Sequence, residues 1–389
     1  MDTLTSFSFA TVPTILSSPG ATKALGQELR ARFPNIRQVL IVTDQGFLRT
    51  GLADAPTASL RAAMFHVEQF ADVIADPPEH VIEEALTLAR QHEIELVIGL
   101  GGGSSMDVAK LVAVLAASSQ SLSEIYGIGN VRGSRLPLVQ IPTTAGTGSE
   151  VTNISIVTTG STSKTGIVAP QLYADMAILD AELTIGLPAA VTAATGIDAM
   201  VHAIEAYTSK HKKNPLSDGL ARQALTLLSR HLIRACENGG QDLAARQAML
   251  LGAMLAGQAF ANAPVAAVHA LAYPIGGIFH VPHGLSNSLV LPHVLRFNAE
   301  ACAEQYAELA MIVVPHAEGS VVARAEALAV AMQQFATITG LPRTLRQVGI
   351  AASDLDLLAD GAMKQTRLLG NNPRPVTRDD AHALYKLAL

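Results

Sequence analysis

Tryptophan is absent from this chain of 389 residues, and all aromatics together make up only 4% of it. A large core is still available, because 49% of residues are hydrophobic, so it must be built mainly from Ala, Leu, Val and Ile. Long blocks of one charge sign are also missing. The formal net charge is −6. The densest basic group, Lys210, Lys212 and Lys213 around His211, reads as a solvated helix end. That pattern argues against nucleic acid as the main partner. Cysteine is scarce too: Cys236 and Cys302 lie far apart and in no metal-binding spacing. A reducing, cytoplasmic setting is the expectation. The first twenty residues carry no basic residue and no clean apolar core, which speaks against a secretory signal.

The most informative absence is local. From Gln247 to Leu295 there is no Asp, Glu, Lys or Arg, yet His269, His280, His283 and His293 all fall inside. Asn262, Pro264, Pro274, Gly276, Gly277 and Pro282 interrupt the stretch, so it reads as the helical core of a soluble domain and not as a membrane span. Imidazoles in an apolar segment need partners, and a divalent metal would supply one.

The length suggests two domains, and the chain has two rhythms. In the first, short apolar runs alternate with helical ones. Strands are expected at 38–43, 64–70, 95–100 and 137–142, with helices at 78–93 and 106–117. Further β character follows at 154–158, 166–168 and 176–179. This order implies an α/β domain with a largely parallel sheet. After Asp180 come Ala-rich helical runs, expected at about 188–195, 197–209, 215–236, 241–262, 265–273, 284–297, 302–313 and 320–338. The boundary is set at 184, giving an α/β domain over 1–184 and an all-helical domain over 185–389.

Two loops follow strands in the first half. In ELVIGLGGGSSMDVAK, Gly101, Gly102, Gly103 and Ser104 open a helix, and Asp107 is expected in its first turn. Backbone N–H groups there can approach a phosphate closely, although the spacing is not the G-x-G-x-x-G fingerprint and a ligand-free βα turn reads equally well. The second loop, IPTTAGTGSE, concentrates Thr143, Thr144, Thr147 and Ser149. Two such loops at strand ends point to a nucleotide crevice at the carboxyl edge of the sheet. Asp44 ends another strand, where an acid either closes a turn or accepts from ribose hydroxyls and repels a 2′-phosphate.

Asp198 and His202 are four apart in an apolar helical run, so they share a face. His269 and His283 are fourteen apart, which on one straight helix is about 21 Å. Pro274, Gly276, Gly277 and Pro282 are expected to end one helix and reverse the chain between them. One Asp and three His suit Fe²⁺ or Zn²⁺; a hydrogen-bonded core histidine is the rival reading for each His alone.

Together, GGGSSMDVAK (101–110), PTTAGTGSEVT (142–152), LPAAVTAATGIDAMVHAIEAY (187–207), VHALAYPIGGIFHVPHG (268–284) and NPRP (372–375) resemble the iron-containing (group III) alcohol dehydrogenases, in that family's order over nearly the whole chain. The resemblance implies a dinucleotide-binding α/β domain, an all-helical domain, a catalytic metal in the cleft between them, and dehydroquinate synthase-like architecture. It assigns Asp198, His202, His269 and His283 as metal ligands, and Gly101, Gly102, Gly103, Ser104 and Asp107 as the pyrophosphate turn. Thr143, Thr144 and Thr147 match the loop lining the cofactor, Lys164 the lysine near its ribose, and Asp44 the acid of members that prefer NAD. One departure stands out. Many members carry a second His four residues after the third ligand, near the nicotinamide, with a proton-relay role in some. This chain has Tyr273, whose phenol ordinarily titrates near ~10, and His280 is the alternative relay or substrate contact.

The implied activity is reversible hydride transfer between NAD(H) and an alcohol/aldehyde pair, with the metal polarising the substrate oxygen. Thr152, Asn153, Phe260, Ala263, Val265 and Phe279 are candidates to line the substrate pocket. Related chemistry of the maleylacetate reductase or glycerol dehydrogenase kind is the near alternative, and a nucleotide- and metal-binding protein without turnover the distant one. A homodimer or larger homo-oligomer is the family expectation.

Overall fold

The computed structural model describes residues 6–160 and 163–389. They divide into two compact units: Thr11–Gly186, and Leu187–Leu389 together with the described residues up to Ala10.

The first unit contains strands β1 (Ile15–Ser17), β2 (Gln38–Val42), β3 (His66–Phe70), β4 (Leu96–Gly101), β5 (Gly127–Ile128), β6 (Leu138–Pro142), β7 (Ile154–Thr159), β8 (Ser163–Val168) and β9 (Met176–Leu179). Its helices are α1 (Leu25–Arg32), α2 (Gln45–Leu48), α3 (Asp54–Ala62), α4 (Glu79–Gln91) and α5 (Gly103–Ala116). Six strands pair in the order β1-β9-β6-β4-β2-β3, every pair parallel. In β4, β6 and β9 every residue is buried, as in strands covered on both faces, and apart from Gln140 in β6 they carry no polar side chain. β5, β8 and β7 form a separate small sheet, in which β7 and β8 are antiparallel. β3 lies on one side of β2, and β4 with the remaining strands on the other. The order therefore reverses at the β2/β4 pair, the position at which open α/β sheets present a ligand crevice at their carboxyl ends. β1 and α1–α3, in polar and poorly periodic segments, had no counterpart in the sequence expectations.

The second unit is helical: α6 (Ala189–Thr208), α7 (Pro215–Glu237), α8 (Leu243–Asn262), α9 (Ala267–Phe279), α10 (His283–Val313), α11 (Val321–Ile338), α12 (Leu355–Met363), α13 (Thr366–Leu369) and α14 (Arg378–Ala388). Three boundaries differ from expectation. α6 runs unbroken through Gly196, carried by its Ala-rich flanks against a penalty of about 1 kcal/mol. α10 spans both segments expected at 284–297 and 302–313, with non-helical geometry only at Cys302. α9 passes through Pro274 and continues to Phe279. Proline removes one helical hydrogen bond and crowds the preceding turn. Here Tyr385 donates 2.6 Å to the Leu271 carbonyl in that turn, and Gly361 leaves room for the ring. The reversal is therefore made by residues 280–282, with His280 in the left-handed region (φ 56°) closing α9.

The NPRP segment anchors α10 and the approach to α9. Asn372 and Asn298 exchange amide hydrogen bonds at 2.7 and 2.9 Å, and Asn371 donates 3.0 Å to the Val265 carbonyl. Among the described residues no single helix is long and apolar enough to cross a membrane; α8 and α9 pass that test only as a pair bent by 107°.

Candidate active site

Three helices of the second unit converge on one buried point. Asp198 and His202 come from α6, His269 from the first turn of α9 and His283 from the first residue of α10. The approach of α6 and α10 needs Gly284: a Cβ there would stand 2.4 Å from the Ala194 carbonyl oxygen. Its absence lets His283 Nε2 come to 3.6 Å from Asp198 Oδ1, while His269 Nε2 is 3.9 Å from the same oxygen. Ligand atoms of Asp198, His269 and His283 all lie within 4.8 Å of one another. His202 Nε2 adjoins this trio at 3.0 Å from His269 Nε2, and its ring stacks on Phe260 at 4.4 Å.

Asp198, His202 and His269 are buried, at 2%, 5% and 2% exposure. Burial pushes Asp198 upward, but the three facing imidazoles and the Asn287 amide outweigh it and hold the carboxyl below its ordinary range. Burial pushes His269 downward, and the carboxylates of Glu205 and Asp198 reverse that, leaving it raised. Imidazole nitrogens turned toward each other and a carboxylate in a dry pocket call for a shared proton or a cation. A tetrahedral or open N/O site for Fe²⁺ or Zn²⁺ matches this donor set.

Two residues that the motifs did not single out complete the arrangement. Glu205 accepts at 2.7 Å from the Val268 N–H with one oxygen, and its other oxygen lies 2.6 Å from His269 Nδ1. One carboxylate thus satisfies the α9 N-terminus and fixes the ring that follows. The signal was present: Asp198, His202 and Glu205 follow i, i+4, i+7 spacing along one face of a helix with no other charge. Asn287, one turn beyond His283, donates 2.5 Å to Asp198 Oδ1, and its Nδ2 lies 3.3 Å from Nε2 of both His269 and His283.

The relay candidates lie nearby in sequence and differ in exposure. Tyr273 sits one turn after His269, its ring 5.9 Å from that of His283. His280 is exposed at the end of α9.

In the first unit, the glycine and threonine loops lie side by side at the ends of paired strands, joined by Thr143 N–H to the Gly101 carbonyl at 2.9 Å. A Cβ on Gly103 would stand 2.8 Å from Thr147 Cγ2, so the approach of the two loops there depends on bare backbone. No side chain caps α5, which leaves its first N–H groups directed outward. Asp44, at the carboxyl end of β2, caps α2 through the Phe47 N–H at 2.9 Å, and its Oδ2 lies 3.6 Å from where a Gly101 Cβ would be. These features fit a dinucleotide's pyrophosphate and ribose.

One expectation needs revision. α5 begins at Gly103, so Asp107 lies in its second turn, and both its oxygens face protein: Ser149 Oγ at 2.6 Å and the Ile156 N–H at 2.9 Å. Lys164 is paired with Asp76 at 2.5 Å. Of the expected pocket residues, Thr152 accepts from Lys110 at 3.0 Å, the Val265 carbonyl accepts from Asn371 at 3.0 Å, and Ala263 is buried.

Comparison with known proteins gives a consistent result. The family model for iron-containing alcohol dehydrogenase matches residues 13–181, and that for the C-terminal part of the Fe-containing alcohol dehydrogenase family matches 192–389. The long-chain-alcohol dehydrogenase 1 of Geobacillus thermodenitrificans is 42% identical over 358 residues, covering 90% of this chain and 89% of that protein. The crystal structure of a 1,3-propanediol oxidoreductase superposes with a TM-score of 0.94 at 33% identity, covering 99% of this chain and 100% of the other. That of sulfoacetaldehyde reductase from Bifidobacterium kashiwanohense, in complex with NAD⁺, gives 0.87 at 27% identity, covering 99% of each.

Proposed function

The chain belongs to the iron-containing alcohol dehydrogenase family, and from that premise we propose how its residues divide the work. The protein is an NAD(H)-dependent, metal-containing oxidoreductase that interconverts an alcohol with an aldehyde or ketone. In our reading Asp198, His202, His269 and His283 hold Fe²⁺ or Zn²⁺. When bound, the metal lends Lewis acidity to the substrate oxygen, and NAD takes or returns the hydride.

The chain's own groups do the rest. Glu205 fixes His269 through Nδ1 and leaves Nε2 for the metal. Asn287 steadies the Asp198 carboxylate. Gly101, Gly102, Gly103 and Ser104, with Thr143, Thr144 and Thr147, receive the pyrophosphate at the uncapped start of α5. Asp44 accepts the ribose hydroxyls and disfavours a 2′-phosphate. Lys164 serves the same ribose as a cation shared with Asp76. Tyr273 is our first choice for the proton path because its ring neighbours that of His283; exposed His280 is the second. The unit 11–186 is thus the cofactor domain and 187–389 the metal and substrate domain. We further infer a cytoplasmic homodimer or larger homo-oligomer; the free thiols of Cys236 and Cys302 support a reducing setting.

The observation that carries this reading is the buried convergence of a carboxylate and three imidazoles from three helices. It is tested by a panel of alcohols and aldehydes with NAD(H) and NADP(H), before and after chelation and on Fe²⁺- and Zn²⁺-loaded protein. NAD(H)-linked activity should vanish on chelation and return with metal. Full activity in verified metal-free protein would overturn the metal role, and a strong NADP preference the role of Asp44.

A further inference from the structure

Beneath the two loops of the first unit lies a second buried polar cluster. Lys110 on α5 has no exposed surface, and its ammonium donates to Ser149 Oγ at 2.7 Å, Thr152 Oγ1 at 3.0 Å and the Ile154 carbonyl at 2.7 Å. Asp107, one turn earlier, is 3.7 Å from the ammonium and grips Ser149 and Ile156 with its two oxygens. Glu150 is 2% exposed, and its Oε2 has no hydrogen-bond partner.

A buried cation is expensive, and an apolar side chain would pack the middle of α5 at lower cost. What the ammonium gains is a hold on residues 149–154, the stretch that leaves the threonine loop. The hold extends further: the Ser149 N–H donates 3.2 Å to Thr147 Oγ1, and Thr147 lies against Gly103. A chain of contacts therefore runs from Lys110 through Ser149 and Thr147 to the start of α5.

We infer that Lys110 is a positioning residue for the cofactor: it sets the threonine loop against the α5 N-terminus from inside, without touching the ligand. This rests on the reading that these loops hold the NAD pyrophosphate. The charged groups acting on Lys110 are Asp107 on its own helix and Glu150 in the turn at 149–151. Burial pushes the ammonium down to about 8 against their pull, and pushes Glu150 up to about 7. As pH rises through about 8, Lys110 loses its proton, and Asp107 and Glu150 lose the cation they share. The loop then loosens, so cofactor affinity falls with rising pH.

The test compares Lys110→Met and the milder Thr152→Val with the unmodified enzyme, all metal-replete. The readouts are NADH affinity by fluorescence titration from neutral to alkaline pH, KM against kcat, and hydrogen exchange at residues 149–156 without cofactor. Lys110→Met should weaken NADH binding and raise KM for NAD by roughly tenfold, with a much smaller change in kcat and none in alcohol KM. It should also speed exchange at 149–156 and abolish the alkaline weakening. Thr152→Val should shift binding and exchange in the same direction by less, which keeps the test alive if Lys110→Met does not fold. Gly103→Val, whose side chain would collide with Thr147, separates the two readings. If it weakens NADH binding while the other variants leave binding and exchange unchanged, the role of Lys110 is overturned and the loop reading stands. If it too leaves NADH binding unchanged, both fall.

Discussion

Glu205 is the residue on which the metal centre most depends without itself being placed as a ligand. Its two oxygens serve different elements, one the Val268 N–H and the other His269 Nδ1. Glu205→Gln keeps the shape but removes the charged acceptor that holds His269 with its hydrogen on Nδ1 and turns Nε2 toward the metal site. Metal affinity, measured by competition with a chromogenic chelator, should drop about 10–100-fold while NADH affinity holds. Unchanged metal affinity would reduce Glu205 to a helix cap. Asp198 and the three imidazoles were legible as chemistry because charge is otherwise missing around them. Glu205 was equally legible by spacing, but an acid near a helix end is read first as solvated surface, and only its exposure of 4% excludes that.

Among the elements, the approach of α6 and α10 decides whether the ligands meet. Gly284→Ala would push a methyl into the Ala194 carbonyl and separate Asp198 from His283. The expected cost is about 1–3 kcal/mol of stability, read as a lower Tm, together with weaker metal retention. A variant with the Tm and metal content of the parent would show that the helices have slack. The α9–α10 reversal shows where local sequence signals stop. Pro274 and the glycines mark a break by propensity, yet α9 continues to Phe279, with the bare backbone of Gly361, far along the chain, leaving room for the Pro274 ring. The break falls instead on residues 280–282, where His280 takes the left-handed region and Pro282, alone of the expected breakers, leads into α10. The central parallel strands, by contrast, were readable because strands buried on both faces become largely apolar runs.

For the whole molecule, the change from alternating β and α runs to Ala-rich helices announced two bodies, and the compact units part at Gly186/Leu187. What the sequence could not supply was the return of residues 6–10 to the helical unit, where the Ala10 N–H donates 2.8 Å to Asn262 Oδ1, a contact 252 residues apart. Because the proposed ligands come from three helices of one unit, metal binding should also stabilise that unit against unfolding. The central claim is that Asp198, His202, His269 and His283 build one site for a divalent metal on which NAD-linked turnover depends. The most direct measurement is metal content per chain, by elemental analysis, alongside NADH-linked aldehyde reduction, in the parent protein and in His269→Ala and His283→Ala. The account predicts about one ion per chain in the parent, and loss of both metal and turnover in each folded variant. Full metal content with undiminished turnover in either variant would contradict it.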